Sequence, residues 1–294
     1  MSAKIIDGNA VARHVRSEWK KRVETLKASG VTPGLAVIIV GDSPASRVYV
    51  RNKVKACGEV GLHSETHDFP ASAEEAVIIA RIEELNRNPD IHGILVQLPL
   101  PPNLETRRLL GTISIEKDVD GFHLYNVGGL VVGENNIFPP CTPYGVQCLL
   151  EYEKIPIEGQ NVVVVGASNI VGKPMALMLM AKDATVSICH IKTRDLAQYT
   201  ILADILIVAA GCPGLITAPM VKRGAVVIDV GINRLPDGKL AGDVDFEGVR
   251  HKASYITPVP GGVGPMTVTM LICNTVAAAE RTAARNAEKS PLPA

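Results

Sequence analysis

A two-part α/β fold, each part built on a parallel sheet, is what the sequence predicts, and three observations carry it. Short apolar runs recur along the 294 residues with amphipathic stretches between them, the pattern left by parallel strands joined through crossover helices. The stretch Val119 to Pro143 is rich in Gly and Pro and reads as loops joining two such sets. Beyond it, strands return roughly every twenty residues, the rhythm of a doubly wound domain of the Rossmann type.

Taken in order, residues from about Asn9 to Ala28 form an amphipathic helix, with Val11, Val15, Trp19 and Val23 on one face. Leu35 to Gly41 is a buried strand. Asp42-Ser43-Pro44 opens a helix, since Asp or Ser caps and Pro fits the first turn. A strand from Ser64 to Phe69 follows, and Ser72 is expected to cap the helix AEEAVIIARIEELN. The strand IHGILVQL is stopped by Pro99, Pro101 and Pro102. After Tyr144 the helix GVQCLLEYEK leads into further strands at VVVVG, ATVSICH, DILIVAAG, AVVIDVG and ASYITPV. A last helix is expected from about Thr267 to Ala287 after a Gly-Pro turn, with the tail EKSPLPA disordered.

The stretch Val162 to Pro174, VVVVGASNIVGKP, is the most informative. Four valines in a row suit a strand buried on both faces. Gly166 breaks it, and Pro174 fits the first turn of the following helix. A strand, a Gly loop and a helix N-terminus together cradle phosphate, because free N–H groups and the helix dipole point at the loop. The pattern is G-x-S-x-x-x-G (Gly166, Ser168, Gly172) rather than the common G-x-G-x-x-G, so an ordinary tight turn stays open as a reading. The next strand ends His190-Ile191-Lys192-Thr193-Arg194, with no carboxylate before Asp195. An acid there would bind the ribose 2′-hydroxyl of NAD, whereas basic residues suit the 2′-phosphate of NADP. NADP is therefore favoured, with a solvated basic loop as the alternative. Asp204 and Asp229 read as caps or loop residues.

Bulk composition narrows the class. Thirty basic and thirty acidic residues cancel, which argues against a general nucleic-acid or anionic-membrane binder. No apolar run approaches the ~18 residues that span a bilayer. The N-terminal stretch is too charged for a signal peptide and too acidic for a transit peptide, so a cytoplasmic protein is expected. Six scattered cysteines without a C-x-x-C pair read as reduced thiols, and no Cys/His spacing predicts a zinc site.

A second constellation lies in the N-terminal half. Ser46, Tyr49 and Lys53 stand at i, i+3 and i+7, on one helix face. A lysine on a core-facing stripe is costly to bury, and burial favours its neutral amine; a lysine snorkelling over an apolar surface remains the alternative. Gln97 falls at the carboxyl end of the strand ILVQL, where open α/β sheets bind ligands. Asp120, in KDVDGF, suits either an Asx turn or a two-donor heterocycle edge. The run Pro258 to Thr267 holds three glycines that let backbone approach a ligand closely.

These stretches, SRVYVRNK, VQLPLP, KDVDGF, PCTPYG, GASNIVGKP and PGGVGPMT, occur in an order that resembles bifunctional methylenetetrahydrofolate dehydrogenase/methenyltetrahydrofolate cyclohydrolase over about Ile5 to Ala279. The resemblance implies oxidation of 5,10-methylenetetrahydrofolate with NADP+, followed by hydrolysis to 10-formyltetrahydrofolate. It implies a substrate and catalytic domain over residues 1–140, to which the last helix returns, and an NADP-binding domain over 141–266. It makes Lys53 catalytic, supported by Tyr49 and Gln97. Ser46, Val96, Leu98 and Asp120 would join them around the folate, with Asp120 on the pterin and Pro260, Gly261, Gly262, Val263 and Gly264 bordering folate and nicotinamide. Gly166, Ala167 and Ser168 would hold the pyrophosphate, Ile191, Lys192, Thr193 and Arg194 the ribose end, and Ile232 the nicotinamide end. It also implies a homodimer through the nucleotide domain, with the active site in the cleft between domains.

Two positions depart from the family pattern. Ala167 stands where many relatives have Arg, and Ile191 where many have Ser, so Lys192 or Arg194 would have to supply the lost affinity for the 2′-phosphate. Two other classes stay open on sequence alone: another NADP-linked dehydrogenase on a two-domain scaffold, and a nucleotide-binding redox sensor without catalysis.

Overall fold

The computed structural model describes residues 2–134 and 136–289. In chain order the first strands and helices are β1 (Lys4–Ile5), α1 (Gly8–Ala28), β2 (Gly34–Val40), α2 (Pro44–Val60), β3 (His63–Phe69), α3 (Glu75–Arg87), β4 (Gly93–Val96), α4 (Thr106–Thr112) and α5 (Leu124–Val132). Then come α6 (Cys141–Tyr152), β5 (Asn161–Val165), α7 (Gly172–Met180), β6 (Thr185–Cys189), α8 (Ala197–Thr200), β7 (Ile205–Val208) and β8 (Val226–Asp229). A short antiparallel pair, β9 (Asn233–Arg234) and β10 (Leu240–Ala241), precedes α9 (Phe246–Val249), β11 (Tyr255–Ile256) and α10 (Val263–Lys289). No helix among the described residues is long and apolar enough to cross a membrane.

The chain divides into two compact units. The first comprises Met1–Arg13, Leu130–Glu134 and Pro140–Thr267. Its six-stranded sheet runs β1-β11-β8-β7-β5-β6, with every neighbouring pair parallel. Val163, Val165, Leu206, Val208, Val227 and Ile256 form its buried core. Each such side chain removed from water contributes about 1.5–3 kcal/mol. β1 is too short to be legible by periodicity; it exists because Lys4 and Ile5 pair with Tyr255 and Ile256.

The second unit comprises His14–Gly129, Asn135–Pro139 and Val268–Ala294. Its parallel sheet runs β3-β2-β4. Strand β2 lies in the middle and is buried along its whole length, which is why it reads as an unbroken apolar run. Ala36, Ile38 and Ile94 pack against Ile78, Ile82 and Leu109. The register sets residues just past the carboxyl end of β4 beside the middle of the sheet: Gln97 N–H donates to the Ile38 carbonyl at 2.9 Å.

Four local expectations are corrected. Ser72 does not cap α3, which begins at Glu75 after Glu74 with no side-chain cap bond; Ser72 sits instead in a turn closed by Ala73 N–H on the Pro70 carbonyl. The Gly-rich stretch Val119 to Pro143 is not all loop, because α5 forms inside it and α6 already starts at Cys141. Helix α5 is held by Asn126, which is fully buried and bonds Asp118 Oδ2 through Nδ2 and the Phe138 N–H through Oδ1. The last helix begins at Val263 rather than Thr267, since Pro265 falls in a first turn whose N–H groups need no helical partner. Of the tail expected to be disordered, Glu288 and Lys289 extend α10, and residues 290–294 lie outside the described residues.

Candidate functional site

In the second unit the site begins at the start of α2. Ser43 caps it, its Oγ accepting from the Ser46 N–H at 3.4 Å, and Pro44 occupies the first turn. The cap sets the phase of the helix, so Ser46, Tyr49 and Lys53 fall on one face. Ser46 and Lys53 are buried at 6% and 7% exposure, and Tyr49 is half-buried. Burial pushes the Tyr49 phenol up, so it stays a hydroxyl donor at neutral pH.

The Lys53 amine donates to Gln97 Oε1 at 3.0 Å. Gln97 has one orientation available, because its Nε2 donates to the Leu98 carbonyl at 2.7 Å and its main chain is tied to Ile38. The amide oxygen is therefore the atom that meets the lysine. Val96 is buried at the end of β4, and Leu98 is half-buried beside Gln97. Only at this crossing do the α2 triplet and the β4 end, far apart in sequence, become one constellation.

Asp120 is half-buried on a loop that is pinned from three directions. Lys117 Nζ donates to the Leu85 and Asn88 carbonyls at 2.9 and 2.7 Å, capping the carboxyl end of α3. Asp118, 1% exposed, accepts from Phe122 N–H, His123 N–H and Asn126 Nδ2. Burial raises the Asp118 carboxyl, and these three donors pull against that rise. Asn274 Nδ2 donates to the Val119 carbonyl at 2.8 Å. Gly93 makes room for the same loop: a Cβ there would lie 2.7 Å from Val119. Asp118, Asn126 and Asn274 escaped the sequence reading. The one signal available was the second Asp in KDVDGF, whose two acids have different work: Asp118 faces in and builds the loop that Asp120 stands on.

In the first unit, β5 ends at Val165, Gly166 turns at φ 123°, and α7 starts at Gly172. A Cβ on Gly166 would lie 2.2 Å from the Ala209 carbonyl, and one on Gly172 would lie 1.9 Å from the Gly166 carbonyl. These are the tight-turn and close-packing duties of a dinucleotide loop. Ser168 Oγ accepts from Val171 and Gly172 N–H at 3.1 and 3.4 Å, so the serine braces the loop and still has a proton to donate. Ala167 leaves the loop uncrowded. The small residues at 166, 167 and 172 and the N-terminus of α7 thus fit a bound pyrophosphate.

Past β6, Thr193 Oγ1 accepts from His190 N–H at 2.9 Å, and His190 Nδ1 accepts from Lys192 N–H at 3.1 Å. The turn is stiffened by its own side chains. Lys192 and Arg194 are exposed, and Ile191 is 97% exposed. Around β8, Ile232 is half exposed, and a Cβ on Gly264 would touch its Cδ1 at 3.6 Å. Gly264 and Val263 belong to the first turn of α10, while Pro260 is exposed and Gly261 turns at φ 104°. Gly262 has no room for a side chain: a Cβ would lie 2.6 Å from the Pro258 carbonyl.

Comparison with known proteins follows this division of labour. Residues 6–120 match the family "Tetrahydrofolate dehydrogenase/cyclohydrolase, catalytic domain", and residues 140–283 match "Tetrahydrofolate dehydrogenase/cyclohydrolase, NAD(P)-binding domain". The chain is 67% identical to the "Bifunctional protein FolD" of Nitrosospira multiformis over 285 residues, covering 97% of this chain and 99% of that one. Among solved structures it is similar to the bifunctional FolD methylenetetrahydrofolate dehydrogenase/cyclohydrolase of Campylobacter jejuni, with 51% identity, a TM-score of 0.94, and coverage of 95% and 99%. It is also similar to the Trypanosoma brucei enzyme complexed with NADP and an inhibitor, with 40% identity, a TM-score of 0.93, and coverage of 96% and 99%.

Proposed function

This chain belongs to the tetrahydrofolate dehydrogenase/cyclohydrolase family, and we propose that Lys53, braced by Gln97 and assisted by Tyr49, is the group that moves protons in its hydrolytic reaction. The enzyme oxidises 5,10-methylenetetrahydrofolate to 5,10-methenyltetrahydrofolate with NADP+ and hydrolyses the product to 10-formyltetrahydrofolate. The observation that carries the proposal is the buried lysine with its amine 3.0 Å from an amide oxygen that cannot turn away.

NADP+, held by the loop from Gly166 to Ser168, would supply the hydride acceptor for the folate methylene carbon, and what the protein has to provide there is alignment rather than an acid or base. Hydrolysis is different. Water adds to the methenyl carbon and gives up one proton, leaving a hydroxyl on that carbon; the bond from that carbon to N5 then breaks as N5 takes a proton and the hydroxyl gives up its own, so the formyl group stays on N10 and one proton is released overall. One group able to accept the first proton and return one serves both halves. An amine can do both, taking up a proton and handing one back. Gln97 Oε1 accepts a hydrogen bond from the amine in either state, so it aims Lys53 without holding its proton. Tyr49, one turn earlier, supplies a hydroxyl that can carry a hydrogen bond to the amine or the water. Asp120 is assigned to the two-donor edge of the pterin, with Ser46, Val96 and Leu98 beside it, and the backbone of 260–264 is assigned to close ligand contact. Mixing enzyme, NADP+ and methylenetetrahydrofolate and following the rise and decay of methenyl absorbance tests both reactions at once.

At the ribose end, Gly166, Ala167 and Ser168 are assigned to the pyrophosphate and Lys192 and Arg194 to the 2′-phosphate, with Thr193 as a stiffener and Ile191 contributing no polar group. A charge-assisted hydrogen bond contributes about 1.5–3 kcal/mol. The double variant Lys192→Ala, Arg194→Ala should therefore raise the KM for NADP+ by roughly 10- to 100-fold and leave that for NAD+ unchanged. High salt should shrink the difference, since the two cations are exposed. Equal effects on both nucleotides would remove these residues from the 2′-phosphate.

The homodimer is assigned to the nucleotide unit. β6 is a terminal strand of its sheet, with backbone groups on its outer side, and Ile188 on it is 43% exposed. Ile188→Asp should shift the particle to the monomer mass in analytical ultracentrifugation; an unchanged mass would move the interface elsewhere.

A further inference from the structure

We propose that Asp229 and Asp243, two carboxylates buried inside the nucleotide unit, are positioning residues for the cofactor, holding in register the loops that leave the carboxyl ends of β7 and β8. Asp243 is fully buried. Its Oδ2 accepts from Ala210 and Gly211 N–H at 2.7 and 2.9 Å, and its Oδ1 accepts from Cys212 N–H and Asn233 Nδ2, both at 2.8 Å. Asp229 is 4% exposed. Its Oδ1 accepts from Gly231 and Asp243 N–H at 2.9 and 3.0 Å, and its Oδ2 accepts from Val244 N–H at 2.9 Å. Its own N–H is held by Thr257 Oγ1 at 2.7 Å.

The bonds form a relay. Asp229, at the end of β8, fixes the backbone of residues 243–244; Asp243 then reaches across to the turn that follows β7. Glycines make the close approach feasible: a Cβ on Gly231 would lie 2.3 Å from the Asp243 carboxyl carbon, and one on Gly242 would lie 1.9 Å from Asp229 Oδ2. Two acids so near one another are expensive to bury. Burial pushes the Asp229 carboxyl up to about 6, and the neighbouring Asp243 adds to the rise, while the backbone N–H groups oppose it. A turn needing only closure could use neutral groups at lower cost. What a carboxylate adds is two oxygens that each take two donors, which locks several loops at once. Those loops carry Ile232 and Ala210 to Cys212 at the end of the sheet where doubly wound folds bind ligands. The inference rests on the assignment of the nicotinamide half to that end, near Ile232.

The test uses the full-length enzyme with Asp243→Asn, whose amide group would set two hydrogens against N–H groups already pointing in. Dehydrogenase rates are measured against NADP+ concentration. Cyclohydrolase is measured with preformed methenyltetrahydrofolate and no nucleotide. The expected result is a rise of roughly tenfold or more in the KM for NADP+, with cyclohydrolase kcat within roughly threefold of wild type. Parallel loss of both activities, or an unchanged KM for NADP+, overturns the proposal. Should Asp243→Asn fail to fold, Asn233→Ala removes one of the four donors; a KM rise of roughly threefold supports the relay, and none overturns it. Ile232→Ala checks the location separately. If it leaves every NADP+ parameter untouched, the assignment of the nicotinamide end falls, whatever Asp243→Asn shows.

Discussion

Replacing Lys53 with Met should abolish the cyclohydrolase reaction and leave NADP+ binding intact. Methionine keeps the length and most of the volume of the lysine stem but can neither accept nor return a proton. Positioned proton transfer is typically worth about 10²–10⁴-fold, so methenyl decay should fall by that factor. The variant should still fold. It leaves Gln97 Oε1 without the donor it has at 3.0 Å, at a cost of about 1–3 kcal/mol, but it also relieves the burial of an amine. The contrast with nucleotide binding is informative because Lys53 and the G-A-S loop belong to different units. NADP+ affinity by fluorescence titration should match wild type. Hydrolysis retained within tenfold would exclude Lys53 as the base, and a loss of nucleotide affinity alongside it would mean that the substitution had damaged the fold.

The second large effect falls on the other unit. Gly172→Ala should raise the KM for NADP+ by at least roughly tenfold and lower the melting temperature by several degrees. The added Cβ would stand 1.9 Å from the Gly166 carbonyl, with that carbonyl carbon at 2.6 Å. Backbone cannot swing aside as a side chain can, so the start of α7 has to move away from the end of β5. Two things are lost together: the packing of helix on strand, and the aim of the helix N-terminus at the loop. Cyclohydrolase measured without nucleotide should change far less. A wild-type KM for NADP+ in a folded Gly172→Ala protein would show that the close approach is not needed for binding.

Much of this was legible because it rests on local rules. Four consecutive valines ended by a glycine announce β5 and its loop whatever surrounds them. The Ser43-Pro44 start sets the face of α2, and with it the spacing of Ser46, Tyr49 and Lys53. The misreadings have different causes. Ser72 looks like a cap but is spent in a local turn set by Pro70, and α5 looks like loop because two of its residues are glycine. Helix α5 was decided by partners beyond its own turn, Asn126 bonding Asp118 and Phe138.

By itself the sequence determined the class of fold, the order of its longer strands and helices, the candidate residues proposed for the chemistry and the family to which the chain belongs. Periodicity, turn chemistry and motif spacing are properties of neighbours along the chain, and they survive without knowledge of what packs where. Tertiary structure alone decided that the Lys53 amine meets the Gln97 oxygen, that β1 joins the far edge of the nucleotide sheet, and that Asp118, Asp229 and Asp243 turn inward to hold loops rather than outward to water. A carboxylate's role depends on which N–H groups surround it: those around Asp118 come from the turn just after it, whereas those of Ala210, Gly211 and Cys212 reach Asp243 from a turn 31 to 33 residues away, brought there only once the sheet has formed.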